Sequence, residues 1–374
     1  MLTLLLTLTV ACGVLVIYPY AVYPALLRAL PTKPLARVPG HQCSATLVFC
    51  AYNEGASVDE KLLNIEALKR RHPDLEVLAF DDGSSDDTYT KLSARPDLLT
   101  VIRGGGRNGK AHGMKRLAAM ASGEIMIFTD ANVLLDEDAV DNLRAWHGNP
   151  DVGGVCGTLR YLGADASATA SVGGLYWRLE EKIKAEESRT GNVMGADGSI
   201  FSLRRELYPE FPDTVLDDLT VSMAAVFAGR CLIKVEDVIA YERLVAARGE
   251  EFRRKTRIAA RAYHTHLHLR PQLSRMAPLD RFKYASRKMV RWFGGLFLIA
   301  GAVFSVAMAA AISPLLGAAS VVALIAAVAI GRSITRGPVA AVVDIALALV
   351  ATLIGVFRAM RGQVVVTWSP AKTR

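Results

Sequence analysis

Apolar and polar positions divide the chain into three stretches of different character. Residues 2–27 and 292–331 carry no charge, and residues 337–357 carry only Asp344. About 20 apolar residues cross a bilayer, so these stretches predict membrane-spanning helices. Leu2 to Val22 forms one at the front, with Tyr18, Tyr20 and Tyr23 near the interface. As a single helix, 292–331 would run about 60 Å, twice the hydrocarbon thickness. Ser313-Pro314 is its natural break, which gives three segments at the back. Between the apolar blocks, residues 45–52, 75–80, 98–102 and 124–129 read as strands. Residues 60–71, 88–94, 111–121 and about 136–147 read as helices. Strands alternating with helices predict a parallel α/β sheet wound by right-handed crossovers. Its ligands bind at the carboxyl ends of the strands. Beyond Val152 the pattern loosens: a helix over 171–188, a glycine-punctuated loop entering a strand over 195–203, and helices over 217–227 and 250–268. Residues 276–291, mixing Phe282, Tyr284 and Met289 with Arg281, Lys283, Arg287, Lys288 and Arg291, suit a helix in the headgroup plane.

Composition agrees with a membrane protein: 52% of the 374 residues are hydrophobic and 21% charged, more apolar than a soluble enzyme. The first block lacks a basic n-region and is too long for a signal peptide, so it reads as an uncleaved anchor. Arg28, Lys33 and Arg37 follow it and place the next domain on the cytoplasmic side. Much of the net charge of +8 lies between Arg253 and Arg291, beside the apolar blocks. Anionic lipid headgroups explain that position better than nucleic acid, and no nucleic-acid partner is expected. Five cysteines without CxxC spacing suit a reducing compartment. Three crossings after a cytoplasmic domain would leave the C-terminus, with Arg358, Arg361, Lys372 and Arg374, outside. Either one segment is re-entrant or the positive-inside tendency fails here.

Each predicted strand end carries a polar cluster. Asp81-Asp82-Gly83-Ser84-Ser85-Asp86-Asp87 offers acceptors for a uracil imide or ribose hydroxyls, and equally a turn with a helix cap. Gly104 to Lys110 matches GxxxxGK, but Ala111 stands where a P-loop needs a hydroxyl for magnesium. A basic loop whose lysine meets a diphosphate and a plain surface turn both stay open. Asp130-Ala131-Asn132 puts two oxygen ligands on one side of an extended segment, suiting a hard divalent ion, or else closes a turn. Asp217-Asp218 at a helix start either complements the dipole or includes a general base.

Taken in order, Ala51-Tyr52-Asn53-Glu54, Asp81-Asp82-Gly83-Ser84, Gly109-Lys110, Asp130-Ala131-Asn132, Gly195-Ala196-Asp197-Gly198 and Asp217-Asp218 resemble the family-2 glycosyltransferases. The likeness is to the membrane-bound branch of cellulose, chitin and hyaluronan synthases and exopolysaccharide enzymes, and it covers roughly residues 45–260. The resemblance implies a GT-A fold, a Rossmann-like α/β nucleotide-sugar-binding domain flanked by transmembrane helices. It further implies a nucleoside-diphosphate-sugar donor (a UDP-sugar first), Mg²⁺ or Mn²⁺, and inversion at the anomeric carbon. On that basis Ala51, Asn53, Glu54, Asp81 and Asp82 line the donor pocket, Lys110 and Arg257 meet the diphosphate, and Asp130 and Asn132 hold the metal. Gly195, Ala196, Asp197 and Gly198 form the acceptor-side loop, and Asp218, beside Asp217, is the base.

Two departures stand out. Asn132 replaces the second carboxylate of the family's DxD. Where processive synthases carry QxxRW, this chain has Arg254-Lys255-Thr256-Arg257-Ile258, so addition of one or a few sugars to a lipid-linked or polysaccharide acceptor is expected. The same departures motivate a catalytically inactive partner of a polysaccharide synthesis or export assembly, and the glycine loop a P-loop-like NTPase. The expected division is an N-terminal transmembrane helix (1–27), a linker (28–44), the GT-A catalytic domain (45–249), basic interface helices (250–291), C-terminal transmembrane segments (292–357) and a basic tail (358–374). The whole is expected in a bacterial-type cell membrane. His264 and His268 would share a helix face, and Asp344, costly inside a bilayer, is a functional candidate.

Overall fold

The computed structural model describes residues 1–162, 168–243, 248–334, 337–363 and 367. Its sheet has eight strands in the order β3-β2-β1-β4-β7-β6-β8-β5. The first four are the expected parallel unit: β1 (Ala45–Ala51), β2 (Glu76–Asp81), β3 (Thr100–Arg103) and β4 (Ile125–Thr129). They are joined through α3 (Gly55–Arg71), α4 (Thr88–Ser93) and α5 (Lys110–Met120). Every residue of β1 is buried, as a central strand covered on both faces requires, which is why it reads as an unbroken apolar run.

The other half is mixed rather than parallel. β5 (Leu134–Leu135) is antiparallel to β8 (Cys231–Arg243), and its pairing delays α6 to Ala139–His147. β7 (Ile200–Arg204) runs antiparallel to both β4 and β6 (Val152–Leu162), while β6 and β8 are parallel. The apolar spacing predicts neither β6 nor β8. β6 contains Gly153, Gly154 and Gly157, poor strand formers, and tertiary packing requires them there. A Cβ on Gly154 would lie 2.8 Å from Leu232 Cδ1, and one on Gly157 2.8 Å from Val238 O. Two helices complete this half, α7 (Ala168–Arg189) and α8 (Asp217–Phe227).

The expected uninterrupted crossing over 2–22 is broken. α1 (Leu2–Ile17) and α2 (Val22–Arg28) are bent by 61° at Tyr18-Pro19-Tyr20, where proline cannot continue the ladder. Tyr23 is not an interfacial anchor: it is fully buried and donates to Glu187 Oε1 at 2.6 Å.

α9 (Arg248–Leu273) leads to α10 (Pro278–Tyr284), a π-turn over Ala285–Met289 and α11 (Val290–Trp292). Here a second expectation fails: Lys283 and Arg287 do not face headgroups. Both are fully buried: Glu180 and Glu187 of α7 pair with Arg287, and the carbonyls of Glu187, Thr190 and Asn192 accept from Lys283. α12 (Gly294–Ile312), α13 (Pro314–Ser333) and α14 (Gly337–Met360) are long and apolar enough to cross a membrane, with the break at Ser313-Pro314 as expected. In the tail Arg358 and Arg361 are exposed; Lys372 and Arg374 lie outside the described residues.

Candidate active site

The ends of β1 and β2 form one wall. Among the described residues Asn53 is the single non-glycine with positive φ, 51°, a conformation asparagine tolerates. Its Oδ1 accepts Ser85 N at 2.8 Å, its own N–H donates to Ser84 Oγ at 3.0 Å, and Glu54 N donates to Thr88 Oγ1 at 2.9 Å. The turn after β1 is thereby fastened to the turn after β2. Asp82 N donates to Ala51 O at 2.9 Å, and Asp81 and Asp82 are wholly buried. The Asp82 carboxylate accepts Asn108 N at 2.8 Å and Gly109 N at 3.0 Å; burial raises its pKa even so. Asp81 O takes Gly104 N. The N–H groups of 104, 108 and 109 therefore serve Asp81 and Asp82 and are not offered to a phosphate.

That loop delivers Lys110 to the centre. Its Nζ lies 2.6 Å from Asp130 Oδ1, at the end of β4, and 3.7 Å from Asp217 Oδ2, in the first turn of α8. Burial works against the ammonium, but Asp130, Asp217 and Asp218 together raise its pKa. Gly198 faces the same point: a Cβ there would stand 2.9 Å from Lys110 Nζ and 3.7 Å from both Asp130 Oδ2 and Asp218 Oδ2. Four motifs separated by up to about a hundred residues thus meet around one position. Burial and the adjacent Asp217 push the Asp218 carboxyl up to about 6, with Lys110 opposing. Such a group is ionised at neutral pH yet more basic than a surface aspartate.

The remaining predicted residues divide. Ala196 N donates to Ser222 Oγ at 2.9 Å, and that hydroxyl donates to Asp218 O at 2.6 Å, tying the 195–198 loop to α8. Asp197 is committed elsewhere: burial opposes its ionisation, but its short ion pair with Lys184 holds it below the usual range. Gly195 takes φ +96°. Arg257 is partly buried on α9. His264 is bonded to Thr214 and His266 is ringed by Tyr263, Tyr284 and Trp292, and among the described residues neither His264 nor His268 belongs to a group that could hold a metal ion. Asp344 is buried on α14.

Three contributors belong to none of the sequence motifs. Glu242, buried near the end of β8, accepts Asn132 Nδ2 at 3.1 Å. Arg261 on α9 donates to Val215 O at 2.8 Å, just before α8, and its positive charge lowers the pKa of Asp218. Its i, i+4 spacing from Arg257 is the one signal for it in the sequence. Lys61, on α3, donates to Val133 O at 2.6 Å beneath the 130–133 turn.

Asp130 and Asn132, with Glu242 bonded to the Asn132 amide, carry hard oxygen donors of the kind that Mg²⁺ and Mn²⁺ select. Among the described residues no three carboxylate, imidazole or thiol side chains form a cage by themselves.

None of the curated proteins matches this chain. Among solved structures, it is similar to the mannosyltransferase PcManGT from Pyrobaculum calidifontis in complex with GDP-Man and Mn²⁺. The TM-score is 0.75 at 22% identity, over 94% of this chain and 99% of that one. The glucosyl-3-phosphoglycerate synthase from Mycobacterium tuberculosis aligns more loosely, with TM-score 0.43 and 18% identity over 62% of this chain and 86% of that one. Residues 46–211 match the family described as Glycosyl transferase family 2. The chain thus carries a glycosyltransferase family 2 domain of GT-A fold, and it is a glycosyltransferase.

Proposed function

We propose that this enzyme transfers a sugar, with inversion, from a nucleoside-diphosphate-sugar to a hydroxyl of a lipid-linked or polysaccharide acceptor. The reaction takes place at the cytoplasmic face of a membrane, in cell-surface polysaccharide or glycolipid synthesis. The observation that carries this reading is the convergence of Lys110, Asp130 and Asp218 on Gly198. Asp218 takes the proton of the attacking hydroxyl. Its raised pKa suits it to that task, and Asp217 and the start of α8 hold it in place. Lys110 meets the negative charge of the departing diphosphate, and Asp82 fixes the loop that carries it. Asn53, Glu54, Asp81 and the Ala51 end of β1 line the nucleoside side, and Arg257 reaches the diphosphate from α9. Asp130 and Asn132, with Glu242 behind, would hold a divalent cation, which when bound supplies Lewis-acid stabilisation of the leaving group. The three long apolar helices and the basic residues after the first apolar block support the membrane placement.

The test is a donor screen with purified full-length protein and Mn²⁺, covering UDP-sugars and GDP-mannose, which PcManGT binds. One donor should be consumed in a metal-dependent manner, and an α-linked donor should yield a β-linked product. Consumption of none, or retention of configuration, would overturn the reading.

A further inference from the structure

The π-turn at 285–289 joins the catalytic unit to α12, the first of the long apolar helices, and such turns concentrate at functional sites. Its cations are mostly accounted for. Arg287 pairs with Glu180 and with Glu187 Oε2, the latter at 2.5 Å. Arg291 lies 2.8 Å from Glu180 Oε2 and over the Tyr20 ring. Lys283 Nζ donates to the carbonyls of Glu187, Thr190 and Asn192. Glu187 also accepts Tyr23 OH and Met194 N. Lys288 is different. It is partly buried, and its Nζ makes no hydrogen bond or ion pair with any described residue. The charges that bear on it are Arg287, Arg291, Glu180 and Glu187. With Lys288 itself this makes three cations against two carboxylates, both already engaged.

Its position gives the excess charge a direction. Lys288 Nζ is 3.8 Å from where a Cβ on Gly195 would stand, and that same Cβ would press on Leu219, the residue after Asp218. We propose that Lys288 binds a phosphate-class group on an amphiphilic acceptor, which reaches Asp218 past Gly195 from the membrane side. The inference rests on the glycosyl-transfer reading above and names the acceptor class for that site. A sheltered ammonium without a counter-ion is costly, and phosphate is a natural partner for lysine as a point charge. Lys288 stands on the turn that leads into the apolar α12, and on its other side is the loop at Gly195, beside Leu219 and the carboxylate proposed as base. Burial and the neighbouring Arg287 push the Lys288 ammonium down to about 8, and a bound anion would reverse that. Basic pockets where helices enter a membrane commonly hold anionic headgroups.

The test compares farnesyl phosphate, farnesol and inorganic phosphate as ligands of the full-length protein in detergent, in wild type, Lys288→Met and Lys288→Arg. Wild type should bind farnesyl phosphate at least tenfold more tightly than farnesol. Lys288→Met, near-isosteric and relieved of an unpaired charge, should fold and lose most of that preference; Lys288→Arg should keep it. Equal affinity of wild type for the phosphate and the alcohol, or a preference unchanged in Lys288→Met, would sink the proposal. Inorganic phosphate binding as tightly as farnesyl phosphate would overturn the lipid-borne source. Binding of a nucleotide sugar with Mn²⁺ is measured on the same wild-type sample. Its failure strikes the proposed function, whereas its success with no charge preference strikes only the Lys288 site.

Discussion

Lys61 carries the most discriminating prediction, because it should cost stability while serving the site. The residue is 1% exposed on α3, and its Nζ donates to Val133 O at 2.6 Å and lies 5.3 Å from the centre of the Phe49 ring. Burial pushes its pKa down to about 7, with the charge of Asp130 resisting. The unfolded chain keeps this lysine charged up to its ordinary value near 10.4, so between 7 and that value the unfolded state binds more protons and stability rises with pH. Linkage puts the penalty at about 5 kcal/mol at pH 6.5, falling to about 1 kcal/mol at pH 9.5.

Lys61→Met removes this penalty and leaves the Val133 carbonyl without its donor, a loss of about 1–3 kcal/mol. The variant should therefore be more stable than wild type by about 2 kcal/mol or more at pH 6.5 and lose that advantage by pH 9.5. Denaturant unfolding of the full-length protein at the two pH values reads this out. The functional effect should oppose the gain. Lys61 and Asn64, which bonds Leu135 through both N–H and O atoms, pin the turn that carries Asp130 and Asn132. Loss of such supporting bonds weakens metal binding by roughly tenfold, measurable by Mn²⁺ titration in the presence of nucleoside diphosphate. A Lys61→Met protein that is less stable at pH 6.5, or whose advantage does not shrink as pH rises, would refute the burial argument. Unchanged Mn²⁺ affinity would refute the positioning role.

Asp218→Asn should lower transfer by about 10²–10⁴-fold while nucleotide-sugar affinity, followed calorimetrically, stays within about twofold; retained turnover would remove Asp218 from the base role. In wild type, kcat/KM should climb as pH rises through about 6, because Asp218 must lose its proton to act, and this limb should vanish from the residual activity of Asp218→Asn. The raised folded pKa also means that ionised Asp218 burdens the fold above pH 6 and not below 4, so Asp218→Asn should gain thermal stability at pH 7.5 but not at pH 4. Gly198→Ala places its Cβ 2.9 Å from the flexible end of Lys110, so the protein should fold normally while kcat/KM drops about tenfold or more; full activity would show that Gly198 does not border the reacting groups.

The parallel half of the sheet is legible in the sequence because each strand there is a continuous apolar run stopped by a polar cluster, and strand-end position makes those clusters candidates. The order of the motifs along the chain is enough to single out Lys110, Asp130, Asp217 and Asp218, and they meet. What stays hidden depends on distant packing. Lys61 occupies a polar position of an amphipathic helix, and only the return of the chain through Val133 buries it. Glu242 ends a strand whose partner, β6, is too rich in glycine to announce itself. Lys283 and Arg287 have the composition of a membrane-surface helix until the end of α7 passes beneath them, with Glu180 and Glu187 for Arg287 and main-chain carbonyls for Lys283. Nor does composition locate the bend at Pro19, since both sides of it are equally apolar.

These hidden contacts explain why separated motifs behave as one site. Asp82 holds the N–H groups of Asn108 and Gly109, the residues that launch Lys110, and Lys110 holds Asp130. Asp130 stands on the turn that Lys61 supports, while Ser222 joins the 195–198 loop to the main chain of Asp218. The links are few: two N–H groups hold the loop to Asp82, and Lys110 alone carries the connection on to Asp130 and Asp217. The Asp82 carboxylate at the end of β2 is thereby connected, through one loop and one lysine, to Asp130 and Asp217. Because buried hydrogen-bond partners are costly to leave unmade, a displacement of the glycine loop would break its bonds to Asp82 and draw Lys110 away from Asp130 and Asp217.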